Sequence, residues 1–516
     1  MSSYIYNLGL HFDRIASVYQ SNTAIQFSDG SNLSYRELND LSDGIAVFLR
    51  SKGIKKGDVC AIAGVKRSLS YAALIGCLKI GAVYSFFDPE SPLERLSKIL
   101  RQSSPKIILA YLDEVVEDLN LLSYPVINLN SFEKLDEPNS ITKTSLHDVE
   151  GSSPAYIMFT SGSTGFPKGA VMTHANVINF IHWSRETFNI TTEDIHTNVN
   201  PLYFDNSVFD VYASLFNGAT LVPINKKEAL HPKKLLEIIE EQKCTTWFSV
   251  PSMLIYLQTS RAIIPEKWRF MKKIIFGGEG YPKARLVQLF NTLHPNTSFY
   301  NVYGPTECTC ICSSYAIGKE DFEDLNGFLP LGKMASNFSW KILDESGKET
   351  SEKGDLALGG PNVGLGYYND QERTSERFFQ NPGHNNYKDI FYRTGDLVSF
   401  NETDGKIYIH GRTDNQVKHM GYRIELEEIE SAINQFSYVQ DTAAFVVGES
   451  NNNKIFAVFE SDQQVDILMM KAELMRYLPS YMMPHEIIAI DRIPKNSNGK
   501  TDRLELTKKF SQWQKS

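Results

Sequence analysis

The segment Thr160-Ser-Gly-Ser-Thr-Gly-Phe-Pro-Lys-Gly169 follows directly after the apolar run Ala155–Phe159. Glycine lets the backbone approach a ligand closely and adopt positive φ, so successive N–H groups can converge on anionic oxygens. Hydroxyl groups add donors, and a lysine adds a point charge. A flexible linker rarely alternates Ser or Thr with Gly directly after a buried strand. We therefore predict a polyphosphate-binding loop formed by Thr160, Ser161, Gly162, Ser163, Thr164, Gly165 and Lys168.

This loop differs from the P-loop of the common nucleoside triphosphatases. That motif reads Gly-x-x-x-x-Gly-Lys-Ser/Thr. Here Pro167 precedes Lys168, and Gly169 follows it. The sequence therefore disfavours a P-loop kinase.

On both sides of the loop, short β-rich runs alternate with segments of helical periodicity. Strands are predicted at Lys106–Tyr111, Ala155–Thr160, Thr246–Val250, Lys273–Phe276 and Ser298–Tyr303. Helices are predicted at Ser34–Lys52, Leu93–Gln102, His174–Thr187, Pro232–Gln242 and Lys283–Leu293. This order favours layered α/β architecture with largely parallel sheets.

The pattern of predicted secondary structure changes towards the C-terminus. From about Ser339, short strands with tight turns predict a β-rich subdomain, as in Ser339–Gly347 and Gly354–Gly360. The segments after Gly411 are predicted as an amphipathic helix at Arg423–Phe436, strands at Asp441–Val447 and Lys454–Glu460, and a helix at Gln464–Tyr477. We predict a large N-terminal domain, residues 1–411, and a small mobile α+β domain, residues 412–516.

Composition excludes several classes of protein. The 516 residues are 42% hydrophobic and 22% charged, which is incompatible with global disorder. The net charge of −9 lacks the electrostatic footprint of a general nucleic-acid binder. The six cysteines are too sparse for a disulfide scaffold. No signal peptide is predicted, because the first residues lack a basic segment followed by an apolar run. No membrane span is predicted, because Tyr71–Phe87, the most apolar stretch, is interrupted and short. We expect a cytoplasmic protein with no nucleic-acid or membrane partner.

Further motifs accompany the glycine-rich loop. They are Leu78–Tyr84, Asp88–Arg95, Tyr303-Gly-Pro-Thr-Glu307, Tyr392-Arg-Thr-Gly-Asp396, Gly411–Lys418 and Asn498-Gly-Lys500. In this order they resemble the adenylate-forming superfamily of acyl-CoA synthetases, luciferases and nonribosomal peptide synthetase adenylation domains. The resemblance spans roughly Leu33 to Arg503, nearly the whole chain.

The resemblance implies that ATP and Mg²⁺ are bound and that a carboxylate is joined to the α-phosphorus of ATP, with expulsion of pyrophosphate. It implies that Glu307 binds Mg²⁺, Thr306 contacts the α-phosphate, Tyr303 packs against adenine and Asp396 accepts hydrogen bonds from the ribose. Arg412 would assist at the ribose or the phosphates. The other ATP-binding residues that it implies are Gly278, Glu279, Asn301 and Gly304.

A catalytic lysine and a hinge are also implied. Asn498-Gly499 is a strong turn signal that presents Lys500 at a loop tip. In the family this lysine reaches the substrate carboxylate and the α-phosphate region. Asp414 matches the hinge between the two domains. After adenylation, Lys500 would move out, and the segment Lys418–Gly421 would move in to line a tunnel for a thiol.

Asp205 bears on the substrate class. In amino-acid-activating members, the aspartate at this position pairs with the α-ammonium group, because a buried ammonium needs a counter-charge. Activators of fatty and aryl acids typically lack it. The alternative, that Asp205 caps a helix, stays open. Aligning the motifs implies a substrate pocket of Asp205, Asn206, Phe209, Ser249, Ile275, Gly277, Val302, Cys310 and Ile311.

The pocket composition favours a small or medium uncharged side chain. Phe209 is bulky, Ser249 and Gly277 are small, and the set holds no second charge. D-alanine–carrier protein ligases carry a cysteine where this chain has Gly277, which puts D-alanine in doubt. The alternating Cys308, Cys310 and Cys312 share one face of a strand, and we favour core and pocket roles over zinc for them.

The acceptor is expected on another chain. No carrier-type phosphopantetheine motif follows Arg503. We therefore predict an amino acid ligase that transfers the aminoacyl group to the phosphopantetheine thiol of a separate carrier protein, and that works as a monomer. Coenzyme A is the other possible acceptor. An acyl-CoA ligase and a non-catalytic nucleotide-binding scaffold are the alternative functions.

Overall fold

The computed structural model describes residues 4–115, 119–132, 146–162, 165–448, 454–495 and 501–511. Ser163, Thr164 and Lys500, which carry predicted roles, lie outside these residues.

The N-terminal strands and helices alternate through most of the chain. The strands are β1 (Thr23–Gln26), β2 (Asn32–Ser34), β3 (Val59–Ala63), β4 (Val83–Phe87), β5 (Ile107–Ala110), β6 (Val126–Asn128), β7 (Pro154–Thr160), β8 (Lys168–Thr173), β9 (Ile195–Asn198), β10 (Thr220–Pro223), β11 (Thr246–Ser249), β12 (Lys273–Gly277), β13 (Ser298–Tyr303), β14 (Ser313–Ala316) and β15 (Lys333–Met334). The helices are α1 (Leu8–Val18), α2 (Tyr35–Ser51), α3 (Ser68–Ile80), α4 (Leu93–Ser103), α5 (His174–Thr187), α6 (Asn206–Val208), α7 (Lys226–Ala229), α8 (Pro232–Glu241), α9 (Pro251–Thr259) and α10 (Lys283–Leu293).

These strands form two large sheets. One has the order β6-β5-β3-β4-β7-β8, with all neighbours parallel except β7 and β8. The other has the order β15-β14-β13-β12-β11-β9-β10-β1-β2, parallel from β13 to β1. Helix α3 is buried along Leu69–Ile80 and belongs to the core that the sheets share. The predicted α/β class is confirmed, and the predicted elements of this region are present within one residue at each end.

The C-terminal part is richer in β-structure. Its strands are β16 (Ser339–Leu343), β17 (Gly354–Gly359), β18 (Phe378–Gln380), β19 (Ile390–Asn401), β20 (Lys406–Arg412), β21 (Gln416–His419), β22 (Tyr422–Glu425), β23 (Asp441–Val447), β24 (Lys454–Glu460) and β25 (Glu486–Ala489). Its helices are α11 (Gln371–Arg377), α12 (Leu426–Ile433), α13 (Ile467–Leu474) and α14 (Arg503–Ser511). Strands β16 to β20 form one sheet, β21 and β22 a hairpin, and β23 to β25 a third unit.

Two predicted helices were too long. Gln464–Tyr477 was predicted as one helix, but the helix is Ile467–Leu474. The amphipathic pattern predicted a helix over Arg423–Phe436, but residues 423–425 belong to β22 and the helix is Leu426–Ile433. Lys418 pairs with Arg423 and Gln416 with Glu425 across the hairpin. Strand geometry sends Arg423 and Glu425 to the same face, which a helix would not do.

Candidate active site

Three cavities adjoin where the two parts of the chain meet. The outer cavity, about 570 Å³, is lined by Glu279, Asn301, Asp396 and Arg412 among others. The side cavity, about 130 Å³, extends from Thr160 to Tyr481 and Met482. The central cavity, about 70 Å³, shares Tyr303, Asp396 and Arg412 with the outer cavity, and Asp205, Thr306 and Arg423 with the side cavity. The central cavity is therefore the junction between the other two.

The outer cavity gathers most of the residues predicted to bind the nucleoside. Tyr303 donates a hydrogen bond to Oδ2 of Asp396 at 2.6 Å, and Arg412 binds Oδ1 at the same distance. The Asn301 amide donates to the carbonyl of Pro330 at 2.8 Å. Gly278 and Glu279 line the same cavity, whereas Gly304 lines the central one. Apart from Gly304, these predicted residues thus line one cavity.

Asp414, the predicted hinge, is held by two arginines. Arg412 Nε donates to Asp414 Oδ1 at 2.7 Å, and Arg377 donates to Oδ2 at 3.1 Å. Burial alone would raise the pKa of Asp414, but the bonds and charges of these arginines lower it to about 2. Strand β20 ends at Arg412 and β21 begins at Gln416, so Asp414 lies in the connection between two sheets.

The central cavity gathers six of the nine predicted substrate residues. These are Asp205, Asn206, Gly277, Val302, Cys310 and Ile311. Asp205 accepts a hydrogen bond from the Thr306 hydroxyl at 2.5 Å, and burial raises the pKa of its carboxyl. Gly277 has no room for a side chain, because an added Cβ would lie 2.4 Å from the carbonyl oxygen of Val302. Glycine is therefore the residue that fits at this end of β12.

The other three predicted residues do not line this cavity. Phe209 is fully buried, with its ring 5.0 Å from that of Phe248, and Ile275 belongs to the core. Ser249 accepts a hydrogen bond from the Trp247 indole at 2.8 Å and donates to the carbonyl of Val250. Phe248, which the sequence prediction missed, lines the cavity instead. Strand alternation in β11 is the signal that could have identified it, since Ser249 shares its face with Trp247.

The predicted phosphate loop is in contact with the β21–β22 hairpin. Ser161 donates to the carbonyl of Arg423 at 2.6 Å and accepts from the amide of Glu425 at 3.1 Å. Lys168 Nζ lies 3.0 Å from Glu425 Oε1. The Thr160 hydroxyl is buried and has no hydrogen-bond partner among the residues that the structure describes. It is a donor that a bound phosphate can use.

Glu307 is completely buried beside the loop. Tyr367 donates to its Oε1 and Arg423 to its Oε2, each at 2.7 Å. Burial alone would raise the pKa of this carboxyl, but the charges of Arg423 and Lys168 hold it well below its usual range. Within the described ranges, no group of three or more His, Cys, Asp or Glu side chains could hold a metal ion. Mg²⁺ commonly takes one or two carboxylates plus substrate phosphates, and a single buried Glu307 fits that mode.

The hairpin contacts the site at a third place. The amide of Gly421 donates to a carboxylate oxygen of Glu279, and the Lys418 ammonium lies 5.9 Å from the ring centre of Tyr303. We call this placement of β21–β22 against the loop, Glu307 and Glu279 the docked arrangement. The segment Lys418–Gly421 lies against Glu279 and Tyr303 in this arrangement. Arg423, Glu425 and Tyr367 were not predicted as site residues.

Comparison with known proteins assigns the family. A model described as AMP-binding enzyme matches residues 12–368, and one described as AMP-binding enzyme C-terminal domain matches residues 428–500. The chain belongs to the AMP-binding enzyme family.

Individual relatives agree with this assignment. The D-alanine–D-alanyl carrier protein ligase of Lacticaseibacillus paracasei is 32% identical over 96% of this chain and 97% of its own length. Surfactin synthase subunit 2 of Bacillus subtilis is 32% identical over 96% of this chain, which spans only 13% of that protein. A solved nonribosomal peptide synthetase protein containing adenylation and PCP domains has the same fold, with a TM-score of 0.83 at 24% identity over 98% of this chain and 84% of that one.

Two further observations concern the chain as a whole. In the described part of this AMP-binding enzyme, no helix has the length and apolarity needed to cross a membrane. All six cysteines are buried free thiols, and Cys310 lines the central cavity.

Proposed function

We propose that this enzyme activates a small or medium uncharged amino acid as aminoacyl-AMP and transfers it to the phosphopantetheine thiol of a separate carrier protein. The observation that carries the proposal is the position of Asp205, which lines both the central and the side cavity. A carboxylate there can pair with an α-ammonium group while the nucleotide and the thiol approach from different sides. The similarity to a carrier protein ligase over nearly its full length supports the same acceptor.

The proposed reaction has two steps. A carboxylate oxygen of the amino acid attacks the α-phosphorus of ATP, and the bond to pyrophosphate breaks. The thiol sulfur then attacks the acyl carbon, loses its proton, and AMP leaves. The outer cavity would hold the adenosine, with Asp396 at the ribose, and the side cavity would admit the thiol.

Glu307 is the residue that we propose binds Mg²⁺ together with the ATP phosphates. The ion would neutralise charge on the phosphates as pyrophosphate departs. Lys168 and the Thr160 hydroxyl would contact the polyphosphate, with Ser161, Gly162, Ser163, Thr164 and Gly165 forming the rest of the loop. Thr306 would contact the α-phosphate, and Lys500 would stabilise the charge that develops there.

The proposal also covers the domains, the oligomeric state and the cellular location of the enzyme. We propose that residues 1–411 and 412–516 act as separate domains that turn about Asp414. The monomer is proposed as the active unit, because the family resemblance implies an active site formed by a single chain. The reduced thiols suit a cytoplasmic location.

Amino-acid-dependent ATP–pyrophosphate exchange tests the proposal. The proteinogenic L-amino acids, D-alanine, and several aliphatic and aryl acids would be compared. Strong exchange with one small neutral amino acid is expected. Exchange only with acids that lack an amine would move the enzyme to the acyl-activating branch. A thioester formed with free coenzyme A rather than with a holo carrier protein would contradict the proposed acceptor.

Gly421→Leu is expected to separate the two half-reactions. Gly421 has φ of +83°, and an added Cβ would lie 2.8 Å from the Val250 side chain. Left-handed strain and overpacking each cost about 1–3 kcal/mol, so thioester formation should fall by about a hundredfold. ATP–pyrophosphate exchange should stay within about threefold of wild type, because this contact belongs to the docked arrangement.

Gly405→Leu is the matched control for that variant. Gly405 also has positive φ, at +67°, but an added Cβ would meet nothing within 4 Å. Both half-reactions should therefore stay near wild type. Equal losses of thioester formation in the two variants would show that backbone strain, and not contact with Val250, causes the effect.

A further inference from the structure

We propose that Arg423 and Glu425 are positioning residues that take the places of Mg²⁺ and pyrophosphate on Glu307 and Lys168 when the hairpin docks. Docking and magnesium pyrophosphate would therefore exclude one another. This inference rests on the proposed function, which assigns Glu307 to the metal and Lys168 to the polyphosphate.

The two residues are placed for this by strand geometry. They are two positions apart on β22, so their side chains share a face. Arg423 reaches Glu307 at 2.7 Å, and Glu425 reaches Lys168 at 3.0 Å. Glu307, Lys168 and Glu425 are buried, with 0%, 7% and 5% side-chain exposure, and the Arg423 side chain is 18% exposed. One short strand thus presents a cation to the buried acid and an anion to the buried lysine.

In the docked arrangement, hairpin side chains and backbone contact Glu307, Lys168 and Ser161. Both oxygens of Glu307 are used, one by Tyr367 and the other by Arg423. Glu425 is held in place by Gln416, which donates to its Oε1 at 2.6 Å. Ser161 is tied to the β22 backbone at both its donor and acceptor sides. A metal on Glu307 or a phosphate on Lys168 would compete with the hairpin residues for the same buried groups.

The signs of the charges explain why Arg423 and Glu425 can replace Mg²⁺ and pyrophosphate. A buried charge without a partner raises the free energy of the protein. Undocking of the hairpin therefore requires other partners for Glu307 and Lys168. A metal cation and a pyrophosphate anion offer the same two signs that Arg423 and Glu425 offer. Each state of the enzyme then has both groups compensated. Because coupling between ligand binding and a conformational change is reciprocal, pyrophosphate that disfavours docking must itself be disfavoured by docking.

A nearby ion pair supplies the matched control. Arg95 and Glu428 also join the two parts of the chain, and their side chains are buried to 8% and 5% exposure. Glu428 contacts neither Glu307 nor the phosphate loop in the contacts described above. A variant at Glu428 therefore weakens docking without removing a charge that competes with a ligand.

The test measures docking directly, by energy transfer between two dyes on the full-length enzyme. The variants Glu186→Cys and Lys508→Cys place labels on exposed positions of α5 and α14. The native thiols are all buried, so labelling is selective. Magnesium pyrophosphate is titrated into wild type, Lys168→Met, Glu425→Gln, Glu428→Gln and the two double variants with Lys168→Met. Calorimetry measures pyrophosphate binding, and cooperative thermal unfolding checks that each variant is folded.

We expect pyrophosphate to convert wild type to an undocked dye distance, and Lys168→Met to raise the required concentration by about tenfold or more. Glu425→Gln should reduce the docked population in the wild-type background but have little effect once Lys168 is Met. Glu428→Gln should reduce the docked population equally in wild type and in Lys168→Met. Bound pyrophosphate with an unchanged dye distance would overturn the inference, as would identical behaviour of the two glutamate variants.

This experiment needs no amino acid, so it can fail separately from the proposed function. Exchange activity without a pyrophosphate-dependent dye distance would overturn only the inference. A pyrophosphate-dependent distance without exchange for any acid would overturn only the proposed catalytic function.

Discussion

Asp205→Ala is expected to lower amino-acid-dependent exchange, as kcat/KM for the amino acid, by about 10²- to 10³-fold. Breaking a buried ion pair by removing one partner costs about 3–5 kcal/mol, since the other charge stays buried without compensation. In this enzyme the uncompensated charge would be the α-ammonium group of the substrate. The measurement is ATP–pyrophosphate exchange against amino acid concentration, with ATP affinity measured separately and expected to be unchanged.

The same experiment carries its own control. The cognate amino acid is compared with its analogue that lacks the α-amine, in wild type and in Asp205→Ala. Wild type should prefer the amino acid strongly, and the variant should lose that preference. Equal losses of kcat/KM on both substrates would show that Asp205 acts through folding or through Thr306. The Thr306 hydroxyl donates a hydrogen bond to Asp205 at 2.5 Å.

A pH dependence follows from the burial of Asp205. Burial raises the pKa of this carboxyl, so it becomes neutral at a higher pH than an exposed aspartate does. A neutral Asp205 cannot pair with an ammonium group. The KM for the amino acid in wild type should therefore rise as the pH falls through that pKa, and Asp205→Ala should lack this rise.

Local sequence was sufficient where chemistry depends on contiguous residues. The glycine-rich loop after Ala155–Phe159 was predicted from glycine, hydroxyl groups and a lysine occurring together at one strand end, and its phosphate-binding role stays a prediction. Tyr303 and Asp396 were placed through their motifs, although they are far apart in sequence. The structure brings them within 2.6 Å of each other. Their partnership follows from the fold, and no local pattern predicts it.

The misplaced residues show where local patterns are insufficient. Ser249 and Phe248 are adjacent, so only the face of β11 decides which one lines the cavity. The hydrogen bond from Trp247 to Ser249 fixes that choice from the core side. Arg423 and Glu425 were predicted within an amphipathic helix, because the apolar period of Leu426, Ile429 and Ile433 was extended too far back. Pairing with β21 overrides that period, and only tertiary structure supplies the pairing.

Lys500→Ala is expected to lower exchange by about 10²- to 10³-fold, the usual loss when one preorganised donor to a developing charge is removed. ATP binding should be largely retained, because the lysine acts on the transition state. In the docked arrangement the flanking residues Lys495 and Thr501 line none of the three cavities. Lys495 is instead paired with Asp441 at 2.6 Å. Thioester formation from preformed aminoacyl-AMP should therefore proceed near the wild-type rate in Lys500→Ala.

Lys500→Ala and Gly421→Leu should thus have opposite effects on the two half-reactions. The lysine variant should lose exchange and keep transfer from preformed aminoacyl-AMP, while the glycine variant should do the reverse. If one fixed arrangement served both steps, each variant would slow both reactions together. Single-turnover measurements of the two steps in both variants distinguish these outcomes. Loss of both steps in Lys500→Ala would mean that the lysine also serves the docked arrangement, and the assignment of separate arrangements to the two steps would have to be abandoned.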